Sequence, residues 1–403
     1  NDLTQITIRQ IKIKMQAEYL TMKAAGNPPL ITLGPRVRKS PFYDATVAAG
    51  AGVFTIYNHM YMPSSYGDTL SEYWSIVEGV SLWDVSAERQ IEISGPDAAA
   101  FTQLLTPRDV ENCPVGRCRY VIFLDENAGI VNDAVLFRLE ENRFWLSPGD
   151  GDVLLWAKAA AAMSTLDVTV HEPDASPLQL QGPLAPRVAH KLFGDIATEL
   201  GYYQFREVTL QGIPLVLSRT GWSGELGYEL ILQDAQRGTE LWDLCMAAGA
   251  EFNIKPACPS LARSMEGGLL SYCSDITIAD NPFTIGMDRL LDIDKPYDYI
   301  GKAALQKIAK EGTPRKLVGA NFMGEPVRPN EHMLPVSAAG HIAGHLTRCV
   351  YSPRLEHNIA LVNLPTEYAK PGTAIELHLP EGMRQAEVVA LPWFPAEKKI
   401  PTW

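Results

Sequence analysis

Three glycines within seven residues shape the segment Gly221-Trp-Ser-Gly-Glu225-Leu-Gly-Tyr-Glu229, so a tight loop leads into a strand bearing a carboxylate. Trp222 and Glu229 are its chemical groups. A flat heterocycle with an amidine edge suits the pair, because a carboxylate accepts two N–H groups side by side and an indole covers a ring face. An exposed hairpin with an incidental Glu fits the same residues. Asp109 is the second candidate. It follows a helix stop in Leu105-Thr-Pro-Arg-Asp109, where the chain must turn, and an Asp there closes a turn by accepting backbone N–H groups.

Other chemistries find no support. No Gly-x-Gly-x-x-Gly opens a helix after a strand, and no Gly-Lys-Ser/Thr phosphate loop occurs. His341 and His345 have the helical spacing of zinc ligands, but their segment reads as strand, where residues four apart are about 13 Å apart. Ser223 lacks the final Gly of a nucleophile elbow. Six cysteines without a Cys-x-x-Cys pair read as reduced, buried thiols. No metal site is expected.

The elements that must carry these residues are legible in part. Ile91 and Ile93 alternate with polar residues in a strand ended by Gly95, and Pro96 opens a helix through Phe101 and Leu105. Val121–Leu124 and Ala134–Phe137 read as strands around an Asp125–Gly129 turn, and Val153–Met163 reads as a helix. Val208–Ser218 and Tyr228–Leu232 read as two further strands. Residues 1–30 form an extension closed by Gly26-Asn-Pro-Pro29. Gly312 and Pro314 stop a helix that begins at Gly301, and from there almost every segment is a short strand between turns. The expectation is α+β over 31–312, then a small all-β barrel or sandwich over 313–403.

At 403 residues the chain is long enough for two or three domains. A net charge of −12 argues against a nucleic-acid partner, and no apolar run is long enough for a membrane span. Without a secretory-type leader pattern, the expected location is the cytoplasm.

In order, Gly95-Pro-Asp, Thr106-Pro-Arg-Asp109, Asp125-Glu-Asn-Ala-Gly129, Gln181-Gly-Pro183, Arg219-Thr-Gly-Trp-Ser-Gly-Glu225-Leu-Gly-Tyr-Glu229 and Tyr299-Ile-Gly-Lys resemble the glycine-cleavage T protein superfamily. Ser352-Pro-Arg-Leu, Pro371-Gly-Thr373 and Leu391-Pro continue the likeness. Tyr57-Asn-His-Met60 with Pro63, Leu104 to Asp109, Asp152-Val-Leu-Leu-Trp-Ala-Lys158 and Glu172-Pro-Asp-Ala-Ser-Pro177 are similar to its dimethylsulfoniopropionate demethylase branch. The aminomethyltransferase branch has His-Met where Ala87 and Glu88 stand here. Its active-site arginine aligns near Ser260; against the demethylase branch, Leu261-Ala-Arg-Ser-Met-Glu266 shifts an arginine relative to the usual Glu-Arg-Ile-Glu.

The resemblance implies an α+β fold of three domains in a clover-leaf around a central tetrahydrofolate, the last an antiparallel β-barrel. It implies a tetrahydrofolate-dependent demethylase of a small methylated cation, with dimethylsulfoniopropionate as the expected donor. Asp109 would then stabilise developing charge, Glu229 hold the pterin edge, Trp222 pack on the rings and Asp125 touch the folate. Tyr57, Tyr202 and Tyr203 are the expected donor-binding residues, because aromatic faces select an onium group that has no N–H to donate. A cage of rings, rather than a carboxylate pair, is therefore the expectation. Aminomethyl transfer, another methylated donor and a folate-binding accessory protein are the alternatives.

Overall fold

The computed structural model describes residues 34–400, so the 1–30 extension lies outside the described residues. Two β-sheets, each backed by helices, meet face to face, and a closed barrel follows them. The six-stranded sheet places Ser176–Gln181 between Gly227–Leu232 and Ser81–Asp84, and Ile213–Ser218 next to Gly227–Leu232 on its far side. In the five-stranded sheet Cys118–Leu124, Ile130–Glu140, Arg143–Pro148 and Ile91–Ser94 are successive neighbours.

The period-two geometry of a strand decides what each face meets. Tyr228, Leu230 and Leu232 point to the helices Ala185–Phe193 and Gly238–Gly249, packing with Val188, Leu241 and Trp242. Ile231, on the alternate face, meets Val216, Phe137, Trp145 and Cys118 across the gap between the sheets. Continue each inward face by two residues and its character changes. Ile231 leads to Glu229, Trp145 to Ser147, Phe137 through Val135 to Asp133, and Cys118 to Tyr120. The seam between the sheets is thus oily at one end and polar at the other.

One reading of the sequence needs correction. Val208–Ser218 is not a single strand; Phe205–Leu210 and Ile213–Ser218 form an antiparallel hairpin. Its two-residue turn puts Gln211 at φ 49° and Gly212 at φ 81°, the doubly left-handed geometry that suits a tight hairpin. The thiol expectation also fails at one position, since Cys273 is exposed while the other five cysteines are buried; all six are unpaired. Elsewhere the boundaries run longer than expected, to Cys118–Leu124 and Ile130–Glu140.

After the helix Lys302–Glu311, six antiparallel strands close the barrel in the order Arg315–Phe322, His357–Pro365, His341–Ser352, Leu334–Ala338, Ala374–Leu379 and Gly382–Val389. Of the two sequence alternatives, the barrel is the one formed. Arg348 ties it to the rest of the molecule through Asp275, with Nε donating at 2.9 Å, and through the Leu269 carbonyl at 2.8 Å. Among the described residues no helix is long and apolar enough to cross a membrane.

Candidate functional site

Glu229 lies in the middle of a strand whose every residue is buried, opposite Gln179 on one side and Ser218 on the other. A carboxylate there is costly unless hydrogen-bonded. Gln179 Nε2 donates to its Oε1 at 2.8 Å, and the Thr220 hydroxyl donates to Oε2. Gln179 is a clamp. Its Oε1 accepts the Trp222 backbone N–H at 3.2 Å, so one carboxamide sets the loop backbone at the tryptophan relative to the strand carboxylate. Gln181, two residues on, wedges the same loop. It accepts from the Ser223 hydroxyl at 2.6 Å, and a Cβ on Gly227 would come within 2.3 Å of its Oε1.

The second hydrogen of that clamp reaches across the seam. Gln179 Nε2 lies 3.4 Å from an oxygen of Glu88, whose other oxygen is 3.4 Å from the Ser147 hydroxyl. Gln90 Nε2 anchors Ser147 at 2.8 Å. Burial raises Glu88 well above the ordinary carboxylate range, and the neighbouring Glu229 charge adds to it. Glu229 is raised too, by burial, against the opposing hydrogen bonds from Thr220 and Gln179. Asp133 is pushed up by burial to about 6, although the Tyr120 hydroxyl donates to it at 2.6 Å.

Tyr57 belongs to this group. Its hydroxyl accepts the Asp150 N–H at 2.9 Å, and burial followed by the charges of Glu88 and Asp133 raises its pKa. Tyr57, Glu88, Tyr120, Asp133 and Tyr203 gather at the polar end of the seam and are only half-buried, so each keeps solvent-accessible surface; this open end is the candidate chamber. Among the described residues Glu88, Asp133 and Glu229 enter no ion pair. By contrast Glu225, Glu92, Glu172 and Asp275 each sit against an arginine.

The other expected site residues are placed differently. Asp109 is buried in its turn, where Oδ1 accepts the Asn112 N–H at 3.0 Å and Oδ2 its side-chain amide at 2.8 Å. Burial pushes this carboxyl up, but the Asn112 bonds, Arg119 and Lys295 outweigh it and hold it below its ordinary range. Arg119 donates to the Asp109 carbonyl and so fastens the turn beside Tyr120; no hydrogen bond joins Asp109 to Glu229. Asp125 closes its own hairpin, accepting from Asn127 N at 2.9 Å and Gly129 N at 2.7 Å. Tyr202 is 41% exposed, with the Lys398 ammonium 5.0 Å from its ring centre and its ring edge-on to Tyr203 at 4.7 Å. Tyr202 and Tyr203 thus pack on each other, and among the described residues no ring contact joins Tyr57 to either. The shifted arginine, Arg263, holds Glu225 of the loop at 2.7 Å.

Glu88, Gln179, Thr220, Tyr120 and Asp133 escape assignment from sequence. Glu88 is visible there only as a departure from His-Met. Gln179 had a signal of its own, since Leu178-Gln-Leu-Gln181 places two amides on one face of an otherwise apolar strand.

The polar end of the seam thus offers a clamped carboxylate beside a half-buried indole, in a two-sheet body with a barrel attached. The chain belongs to the glycine cleavage T-protein family: residues 42–295 match the GCVT N-terminal domain and residues 315–395 the glycine cleavage T-protein C-terminal barrel domain. It is 35% identical to dimethylsulfoniopropionate demethylase of Ruegeria pomeroyi over 88% of this chain and 96% of that protein. It is 31% identical to the aminomethyltransferase of Symbiobacterium thermophilum over 89% and 97%. The fold matches the glycine cleavage system aminomethyltransferase T of Bartonella henselae with a TM-score of 0.80 at 23% identity, over 90% of this chain and 99% of that one. The protein is accordingly an enzyme whose one-carbon chemistry uses tetrahydrofolate. The residues fit that substrate: Glu229 is an acceptor suited to a pterin's N–H edge, held from behind by Gln179 and Thr220.

Proposed function

We propose that the chain is a cytoplasmic demethylase that moves a methyl group from dimethylsulfoniopropionate to tetrahydrofolate, releasing methylthiopropionate and 5-methyltetrahydrofolate. The observation that carries this reading is a chamber with three carboxylates, Glu88, Asp133 and Glu229, in no ion pair. Such a chamber welcomes a positively charged donor. Transfer breaks the S–CH3 bond, whose electron pair leaves on sulfur as a neutral thioether, while the acceptor amine's lone pair forms the new N–CH3 bond and a proton is then lost. The sulfonium is electrophilic already, so the protein's task is alignment and charge compensation. Glu229 and Trp222 hold the pterin. Asp109, kept ionised by its hydrogen bonds, offsets the positive charge delivered to the folate amine. Tyr57 and Tyr203 shape the donor end. Asp125 and Tyr202 have no part in this scheme, being engaged with their own turn and with Lys398.

The test compares kcat/KM with tetrahydrofolate for dimethylsulfoniopropionate, other methylated cations and an aminomethyl-loaded lipoyl carrier. Preference for the sulfonium supports the reading. Preference for the loaded carrier makes the chain an aminomethyltransferase, and folate binding without turnover of any donor makes it an accessory protein.

A further inference from the structure

We propose that Glu88 is the residue that selects a permanently charged methyl donor: its carboxylate supplies the counter-charge to the onium group, while Glu229 serves the folate. This rests on the chamber being the transfer site. The two carboxylates share the hydrogens of one amide but are held very unequally. Glu229 has a 2.8 Å bond from Gln179 and a shorter one from Thr220. Both bonds to Glu88 are 3.4 Å, near the outer limit at which a hydrogen bond counts. Glu88 is also half-buried where Glu229 is 3% exposed, so it is the one that presents surface to the chamber.

Charge bookkeeping in the rest of the fold sharpens the contrast. Glu225 is held by Arg263 at 2.7 Å and Glu92 by Arg143 at 3.0 Å, so this protein pairs buried acids with guanidinium where pairing is structural. Asp84 and Glu72, which have no cationic partner, are satisfied instead by close hydroxyl and backbone donors, such as Ser86 Oγ to Asp84 at 2.8 Å and Tyr66 N to Glu72 at 2.9 Å. Glu88 has neither kind of partner. A ligand cation completes it, stabilising the ionised carboxylate that burial otherwise disfavours.

The aromatic alternative is weak on geometry. Tyr202 already carries the Lys398 ammonium over its ring and packs edge-on to Tyr203. A sulfonium needs no hydrogen-bond acceptor, only negative charge within a few ångströms of its methyl groups. At about 4 Å that attraction is on the order of 1–4 kcal/mol between water-like and protein-like dielectrics. This assigns to a carboxylate the role that the sequence reading gives to ring faces.

The test uses the full chain saturated with 5-methyltetrahydrofolate, which cannot accept a second methyl, so donor binding is read without turnover. Calorimetry compares dimethylsulfoniopropionate with 4-methylpentanoate, an isostere that keeps the carboxylate but lacks the sulfonium charge. The wild type is expected to favour the sulfonium by about tenfold or more, Glu88→Gln to lose most of that ratio, and Glu88→Asp to keep it. Affinity for tetrahydrofolate should stay within about twofold in both variants. An unchanged ratio in a folded Glu88→Gln protein overturns the proposal, as does a parallel fall in folate affinity, which would put Glu88 in the folate site. Should dimethylsulfoniopropionate prove not to be the donor, the pair becomes glycine betaine and 3,3-dimethylbutanoate. Loss of charge discrimination in Glu88→Gln then still supports the assignment, and equal binding of both by the wild type overturns it.

Discussion

Glu229 and Glu88 illustrate how the same side chain takes different work from its surroundings. Glu229 is rigidly held, so its replacement by Gln should weaken tetrahydrofolate binding by about 1–3 kcal/mol, the worth of one charged acceptor, with little change in unfolding. Titration calorimetry checks this, and unchanged affinity removes Glu229 from the pterin edge. Asp109→Asn should instead lower kcat far more than it weakens folate binding, because its charge acts on the developing cation. A near-normal rate would leave Asp109 with only the Asn112 turn it visibly closes. The raised carboxyl of Glu88 also makes a pH prediction. Above about pH 4.3 the unfolded chain has released a proton that the folded chain still holds. By linkage this group then lowers apo-protein stability as pH rises, until the folded carboxyl ionises as well. The stability of Glu88→Gln relative to wild type, from urea unfolding, should therefore climb from pH 4 towards neutrality. Parallel curves would contradict the assigned direction.

At the scale of elements, the loop between Ser218 and Gly227 depends on close approach to Gln181. A Cβ on Gly227 would overlap Gln181 Oε1, and Gln181 cannot swing away without giving up Ser223. Gly227→Ala should cost about 1–3 kcal/mol of stability and loosen folate binding through Trp222, as overpacked cores do; thermal unfolding and folate titration read both effects. This loop was legible in the sequence because glycine spacing and a flanking aromatic are local signals. The alternation of Ile91 and Ile93, the Pro96 helix start and the Gly312 stop were legible for the same reason. The hairpin turn at Gln211-Gly212 passed unnoticed, although Gly212 marked it, because the apolar run on either side reads as one strand. The Glu88–Gln179–Glu229 constellation could not be read in advance. Its members come from a connector between sheets and two different strands, and only the meeting of the sheets makes them neighbours. Asp133 and Tyr120 lie far along the chain from these groups, and were silent for the same reason.

For the molecule as a whole, buried ion pairs fasten the barrel to the two-sheet body. Arg348 meets Asp275 and the Leu269 carbonyl, Arg354 reaches Glu225 at 3.3 Å, and Glu266 accepts from Ser352 at 2.6 Å and Tyr73 at 2.7 Å. Arg348→Met leaves the fully enclosed Asp275 uncompensated and should cost about 3–5 kcal/mol; a variant as stable as wild type in urea would show that the contact is dispensable. Since Glu225 sits in the Trp222 loop, the barrel buttresses the chamber from behind. The proposed methyl transfer therefore draws on the assembled body, and one experiment addresses it most directly. The full chain, in excess over donor, is mixed with tetrahydrofolate and dimethylsulfoniopropionate carrying deuterated S-methyl groups, and products of a single turnover are identified by mass spectrometry. The account predicts one intact deuterated methyl group on the folate for each methylthiopropionate formed. Unlabelled folate, or labelled methyl appearing elsewhere while the folate is unchanged, would contradict it.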